Sequence, residues 1–367
     1  MIKKQVLRCI GFMLCLVMLT VLMCDLFEST NNSSGAKNMY GYRNLPKNSI
    51  NAVFLGTSGV DRYWVAPKAY EEYGIALYNL SFAGFPAWLY TDILDEILPQ
   101  QEDIELILFD LRPFYQNNTA DRTEAMDARA REYLDSLPVF NLNRIKTAFK
   151  TMNIVHEADE EKPKFDGSYL LSFIKFHSNW SDDYSLYDNL GHKDHNFGSF
   201  FMKDVPTVKR KEIEKKFFEG DYYRTLDPIA EKALYELIDY IKANDLEVLF
   251  VDTPQFIDKR ENGRANTVYS ILEANNLNYL TFYKPNSEEF TINLDNKKDF
   301  YDRNHVNYYG AEKFTKALAE YIDGKYELPD ARENPNANEY WDGLYDKVKK
   351  EVKYFEKLKA ESAKTKK

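Results

Sequence analysis

The chain has 367 residues, 44% of them hydrophobic, and a formal charge of −10. That length suits one large domain or a domain carrying an insertion, and the apolar share suffices for a sizeable core. The acidic balance excludes nucleic acid as the main partner, because phosphate binding needs a basic footprint, and neither a P-loop nor a glycine-rich dinucleotide fingerprint is present.

Lys3, Lys4 and Arg8 precede an apolar stretch from about Cys9 to Met23, which Asp25 closes. The stretch is short for a membrane span unless Leu26 and Phe27 extend it. Its positive flank predicts the N-terminus inside the cell and the remainder outside. A cleaved signal peptide is the alternative, but no small-x-small cleavage site follows, and Met23 is bulky where a lipoprotein box needs a small residue. Residues 1–28 are therefore read as a cytoplasmic stub and signal anchor in the cell membrane. All three cysteines (Cys9, Cys15 and Cys24) fall in or beside this segment. The region after it is left without disulfide, thiolate metal site or cysteine nucleophile, which suits an exported bacterial domain.

Residues 29–48 are polar and include Asn31-Asn32-Ser33-Ser34-Gly35, which predicts a flexible extracytoplasmic stalk. A domain is expected over 49–325. Its first buried strand is Ala52 to Leu55, its second Ala76 to Leu80, and its third Leu106 to Phe109. Between the second and third, Leu89, Ile93, Leu94, Ile97 and Leu98 recur at helical spacing. The pattern resumes with a helical face built on Ile229, Ala233, Leu234, Leu237, Ile238 and Ile241. A fourth strand follows at Val248 to Val251, then a helix around Val268 to Leu272 and a fifth strand at Tyr279 to Phe282. Ala311, Phe314, Leu318, Tyr321 and Ile322 mark the domain's last helix. Alternation of continuous apolar strands with helices predicts an α/β fold, a mainly parallel sheet of about five strands covered on both faces.

The interval 122–224 breaks this alternation. It is read as a helical and irregular insertion that caps the catalytic edge, the alternative being a solvated appendage. The tail, 326–367, is charged, and Leu344, Val348, Val352 and Phe355 recur at helical spacing. It is expected to form a helix that docks these residues on the domain and carries lysines outward, where they could meet anionic polymers or lipid head groups.

Two short segments carry the chemistry. Val53-Phe54-Leu55-Gly56-Thr57-Ser58 reads as a buried strand that runs into a tight turn and presents a serine. Asp302-Arg303-Asn304-His305 places a carboxylate three residues before an imidazole, just ahead of a helix. A serine hydroxyl is a weak nucleophile until a base removes its proton, and a carboxylate fixes the tautomer of that base. Ser58, His305 and Asp302 together supply nucleophile, base and orienting acid. Asp61 and Arg62, shortly after Ser58, are candidates for the substrate edge or for pairing with each other.

Phe54-Leu55-Gly56-Thr57-Ser58 resembles the first block of SGNH/GDSL-type hydrolases, and Asp302-Arg303-Asn304-His305 resembles their last, over roughly Asn51 to Ile322. The resemblance implies a flavodoxin-like three-layer sandwich and an acyl-enzyme mechanism that needs no metal or organic cofactor. It also implies an oxyanion hole formed by the backbone N–H groups of Ser58 and Gly84, the latter in Ser81-Phe82-Ala83-Gly84. After the third strand the group has Gly-x-Asn-Asp, whereas this chain reads Phe109-Asp110-Leu111-Arg112-Pro113-Phe114. Either Arg112 supplies the third donor or the hole has two.

An anchored domain with an insertion is similar to exported SGNH-like proteins such as the protein of D-alanyl-lipoteichoic acid synthesis and the alginate O-acetyltransferases. That similarity implies a membrane-anchored extracytoplasmic acyltransferase or esterase acting on a cell-surface glycan or teichoic-acid-type polymer, beside a membrane-bound O-acyltransferase. The alternatives are a carbohydrate deacetylase and a non-catalytic scaffold that binds the polymer or the membrane acyltransferase. His192, Asp194 and His195, with His177, Asp182 and Asp183 nearby, lie in a stretch with no helix to align metal ligands, and a solvated loop is preferred. Trp180, Tyr184, Tyr187, Phe197, Phe200 and Phe201 would either stack on sugar rings or form the insertion's own core.

Overall fold

The computed structural model describes residues 2–27, 34–116, 123–178, 199, 222–281, 292–295 and 298–365. Five strands, β1 (Ala52–Gly56), β2 (Leu77–Ser81), β3 (Leu106–Asp110), β4 (Val248–Asp252) and β5 (Tyr279–Thr281), form one sheet in the order β2-β1-β3-β4-β5. Every pairing is parallel. β1 to β4 are buried at each of their positions. This explains the continuous apolar runs, since a parallel sheet is covered on both faces. Ser81, Asp110 and Asp252, each one residue past its expected strand, extend the strands by one and are fully buried there. Phe282, expected in the fifth strand, lies outside the described residues.

The helices are α1 (Ile2–Leu26), α2 (Ser34–Arg43), α3 (Ser58–Asp61), α4 (Ala66–Tyr73), α5 (Tyr90–Ile97), α6 (Arg112–Tyr115) and α7 (Thr123–Asp135). Then come α8 (Leu142–Ala158), α9 (Phe173–Phe176), α10 (Pro228–Ala243), α11 (Lys259–Ala274), α12 (Tyr308–Lys325), α13 (Pro335–Trp341) and α14 (Leu344–Thr365). α10 shows why the pattern was readable. Asp227 caps it by accepting from the N–H groups of Ile229 and Ala230, Pro228 occupies the first turn, and Leu234, Leu237, Ile238 and Ile241 are buried. β1 leads leftward to β2 through α4, while β2, β3 and β4 lead rightward through α5, α10 and α11. Right-handed crossovers therefore put α4 on one face of the sheet and α5, α10 and α11 on the other. α12 packs on α4, and α5 packs on α10, which completes three layers. The direction of travel reverses between β1 and β3, so their C-terminal ends flank the crevice where ligands of such sheets bind.

α1 is one continuous helix whose segment Lys3–Asp25, of mean hydropathy 2.4, is long and apolar enough to cross a membrane. Its far end is tied to the domain, because the Ser172 hydroxyl donates to the Cys24 carbonyl at 2.9 Å.

One expectation is corrected. The second half of the expected stalk is the folded helix α2, which packs against the edge strand β2. Met39 and Tyr42 are fully buried, the Tyr42 hydroxyl donates to the Ile97 carbonyl at 3.0 Å, and the Tyr78 hydroxyl donates to the Asn38 carbonyl at 2.8 Å. Polar composition concealed this, because two apolar side chains on one face suffice to seat a short helix. The described helices of the insertion, in turn, buttress a flank, while residues 179–198 and 200–221 of its irregular part lie outside the described residues. α7 and α8 pack on each other, α7 against α2 and α8 against α5. The buried Asp92 carboxylate on α5 draws α8 in, accepting from the Thr147 hydroxyl at 2.9 Å and the Lys150 ammonium at 2.8 Å. The aromatic candidates Trp180, Tyr184, Tyr187, Phe197, Phe200 and Phe201 lie outside the described residues, as do His192, Asp194, His195, Asp182 and Asp183.

The charged tail docks as expected, with Leu344, Val348 and Val352 of α14 buried. Trp341 is its anchor: the indole stacks on Tyr70 at 5.3 Å and donates Nε1–H to the Ser49 carbonyl at 3.0 Å. Trp341→Ala is expected to destabilise the domain by about 3–5 kcal/mol, read as a lower denaturant midpoint at an unchanged slope. An unchanged midpoint would mean that the tail is not seated on the core.

Candidate active site

The serine turn is built from the end of β1 and held by β3. Gly56 has φ 156°, and a Cβ there would lie 2.2 Å from the Asp110 Cβ, so glycine is required on both counts. Asp110 Oδ2 accepts the Thr57 N–H at 3.0 Å and bonds the Thr57 hydroxyl as well. Thr57 Oγ1 in turn accepts the Gly59 N–H at 3.1 Å and caps α3. Ser58 thus opens a helical turn at the C-terminal end of β1. Burial pushes the Asp110 carboxyl up from its ordinary value, against Arg112 and the Thr57 donors, which favour the charged form.

The histidine arrives on the segment that leads into α12. Phe300 and Val306 form an antiparallel bridge that closes the loop between them. Asn307 caps α12 by accepting the N–H groups of Tyr309 and Gly310 at 2.9 and 3.1 Å. The loop is also fastened to the exit of β4. Arg303 Nε–H donates to the Phe256 carbonyl at 2.6 Å, the Phe256 N–H donates to the Arg303 carbonyl at 3.1 Å, and the Tyr63 hydroxyl reaches the Asn304 carbonyl at 2.9 Å.

These two pieces meet. Ser58 Oγ lies 2.7 Å from His305 Nε2, and His305 Nδ1 lies 2.9 Å from both Asp302 carboxylate oxygens. A carboxylate beside Nδ1 favours the tautomer protonated there, which leaves Nε2 as an acceptor for the serine proton. Partial burial pulls the Asp302 carboxyl upward. The His305 side chain and the N–H groups of Asn304 and His305 outweigh it and hold the carboxyl below its ordinary value. Asp302 is therefore ionised throughout the neutral range.

Gly84 sits at the exit of β2, on the strand that neighbours the serine's own. It follows by three residues Ser81, which pairs with Gly56. It is exposed, with φ 71° and open space where a side chain would go. Arg112 does not reach the substrate side. Its side chain is 2% exposed and lies behind α3, where a Cβ on Gly59 would come within 2.7 Å of Cζ, and Nη2–H donates to the Tyr63 hydroxyl at 3.2 Å. A guanidinium packed against the underside of the serine turn supports that turn and is not placed as the donor expected of it.

Of the two readings of Asp61 and Arg62, the structure shows the pairing: Asp61 is 2% exposed and lies inside the domain, and the Arg62 side chain, 23% exposed, has Nε 3.9 Å from Asp61 Oδ1. Sequence reasoning missed Asp110 and Tyr63. Asp110 falls one residue past the expected third strand, yet its carboxylate at the end of β3 stands opposite a turn rich in donors. Tyr63 carried no signal, since its role depends on a loop about 240 residues away along the chain.

His177 is exposed and, among the described residues, bonds within its own turn, at 3.1 Å to the Ile174 carbonyl. Among the described residues no group of three or more His, Cys, Asp or Glu side chains is placed to hold a metal ion. No protein-family model matches the chain, no curated protein matches it, and no solved structure matches it.

Proposed function

We propose that this chain is an SGNH-like serine acyltransferase or esterase, anchored by α1 and working on O-acyl groups of a polymer outside the cell membrane. The observation that carries the reading is the continuous Ser58–His305–Asp302 relay, with 2.7 Å and 2.9 Å steps, at the switch point of a parallel sheet. Ser58 Oγ attacks the acyl carbonyl while His305 Nε2 takes its proton, and Asp302 stabilises the imidazolium. The N–H groups of Ser58 and Gly84 face the developing oxyanion. His305 then returns the proton to the leaving alcohol, and the acyl-enzyme passes its acyl group to a polymer hydroxyl or to water.

An anionic polymer of the teichoic-acid type is favoured by where α14 runs. The Tyr309 hydroxyl, four residues after His305, bonds the Glu356 carboxylate, so α14 passes the N-terminal end of α12 beside the catalytic loop. Its last turns continue beyond that contact with Lys357 and Lys364 exposed. These cations would draw phosphate-bearing chains toward the serine, in an otherwise acidic protein. A membrane-bound O-acyltransferase is the proposed donor partner.

The test is acyl-ester turnover by the purified full chain, with and without a poly(glycerol phosphate) acceptor. Turnover that depends on Ser58 and is diverted to acyl-polymer by the acceptor is expected. Turnover indifferent to Ser58→Ala would overturn the serine mechanism, and folded protein with no turnover at all would leave only a scaffold role.

A further inference from the structure

We propose that the face built by α8, α9 and the turn between them is a second membrane contact, an apolar patch that rests in the interface of the bilayer that α1 spans. The proposal rests on the anchoring half of the function proposed above and adds how the domain sits on the lipid. Anchor and domain meet at a defined point. The candidate span of α1 ends at Asp25, and one residue earlier the Cys24 carbonyl accepts the Ser172 hydroxyl at 2.9 Å. Ser172 immediately precedes α9, and α9 packs on α1. α9 therefore lies at the depth where a spanning helix leaves the hydrocarbon.

Apolar side chains beside that junction face outward. Ile174 on α9 is 48% exposed, Phe165 on the turn 62% and Phe149 on α8 46%. They are contiguous. A Cβ on Gly167 would lie 3.7 Å from Ile174 Cδ1 and 3.9 Å from Phe165 Cε1, and the Phe165 and Phe149 ring centroids are 6.3 Å apart. Leu142, on the same side of α8 two turns before Phe149, is exposed as well.

The turn that carries Phe165 is held in this pose from behind. Buried Arg131 of α7 donates to Asp166 Oδ2 at 3.1 Å, to the Ser168 hydroxyl at 3.0 Å and to Asp127 Oδ1 at 3.0 Å, and its guanidinium lies 3.5 Å from the Tyr169 ring centroid. Asp166 also accepts the Ser168 N–H at 2.8 Å. Charge-assisted bonds of this kind fix the turn, so Phe165 is kept outside the core. A contiguous apolar patch held in water is unfavourable, and the boundary between head groups and acyl chains removes that cost. Charge is not the attractant. Glu160 and Glu161 are exposed just ahead of the patch, and Lys175 is paired with Asp127 at 3.6 Å. The fitting partner is thus the interface of a zwitterionic bilayer. With two contacts the domain does not swing on its anchor, and Ser58 is held at one height above the lipid.

The experiment places the photo-crosslinker p-benzoylphenylalanine at Phe165, Ile174, Leu14 or Tyr354, one position at a time, in the full chain embedded in phosphatidylcholine nanodiscs. Leu14 lies within the span of α1 and reports the anchor. Tyr354 is an exposed control on α14, which packs on α4, across the sheet from α8. Thermal melts check that each variant is folded, and adduct masses identify what was captured. Lipid adducts are expected at positions 165 and 174 in yields about tenfold or more above position 354. Adducts at Leu14 with none at 165 and 174 overturn the patch and leave the anchor standing. Equal yields at 165 and 354 overturn it too, because the domain then has no fixed side toward the lipid. No lipid adduct at Leu14 overturns the anchoring reading, and the proposal with it. Fluorophosphonate labelling of Ser58 in the same samples reports the catalytic half separately: lipid adducts at 165 and 174 with Ser58 unlabelled would support the patch and overturn acyl transfer.

Discussion

Ser58→Ala is expected to abolish acyl-ester turnover, and His305→Ala to lower it by about three orders of magnitude or more, with both variants as stable as the parent. The chemical argument is that the serine hydroxyl is the only nucleophile in the relay and Nε2 its only base, so removing either stops the acyl-enzyme from forming. The structural argument is that neither side chain anchors the fold. Ser58 Oγ bonds His305, and the ring's other contact is Asp302, whose side chain is 45% exposed. The double variant should be no slower than the worse single one, because residues that act as one unit are not additive. Turnover of an activated acetate ester, alongside denaturant midpoints, separates the two effects. An equal loss of midpoint and rate would mean that these side chains are structural.

Gly56→Ala is expected to remove activity by the opposite route, through the fold. At φ 156° an alanine is strained, and its Cβ would stand 2.2 Å from the Asp110 Cβ, with the carboxylate itself only about an ångström further. Asp110 cannot withdraw easily, because it holds the Thr57 N–H and hydroxyl on one oxygen and the Arg112 N–H on the other. Its own carbonyl also accepts the Tyr90 hydroxyl at 2.6 Å. Moving it would break the cap of α3 and the register of β1 on β3 together. A loss of about 3 kcal/mol or more is therefore expected from denaturation. In whatever fraction remains folded, Ser58 should be displaced from His305. A variant as stable as the parent would show that the turn is looser than its geometry implies.

How much of this could be read beforehand follows from the range of the interactions involved. The strands were legible because a two-sided parallel sheet writes each one as a short continuous apolar run, and the helices because capping and periodicity are local. The Ser58 and Asp302–His305 turns were legible because each is made within a few residues. α2 was not, since its seat is provided by Tyr78, Ser81 and Ile97, far along the chain. Arg112 was misplaced for a related reason. A charged side chain near a nucleophile suggests a wet rim, yet Arg112 packs beneath Gly59 beside Thr253 and over the Tyr63 ring, contacts that sequence spacing does not express.

The central claim, that Ser58 is an activated nucleophile, is tested most directly by peptide mass spectrometry after fluorophosphonate treatment of the folded full chain. The expected result is a single phosphonyl adduct on Ser58, lost in His305→Ala. An adduct on another residue, or an unmodified Ser58 in protein shown to be folded, would contradict the account.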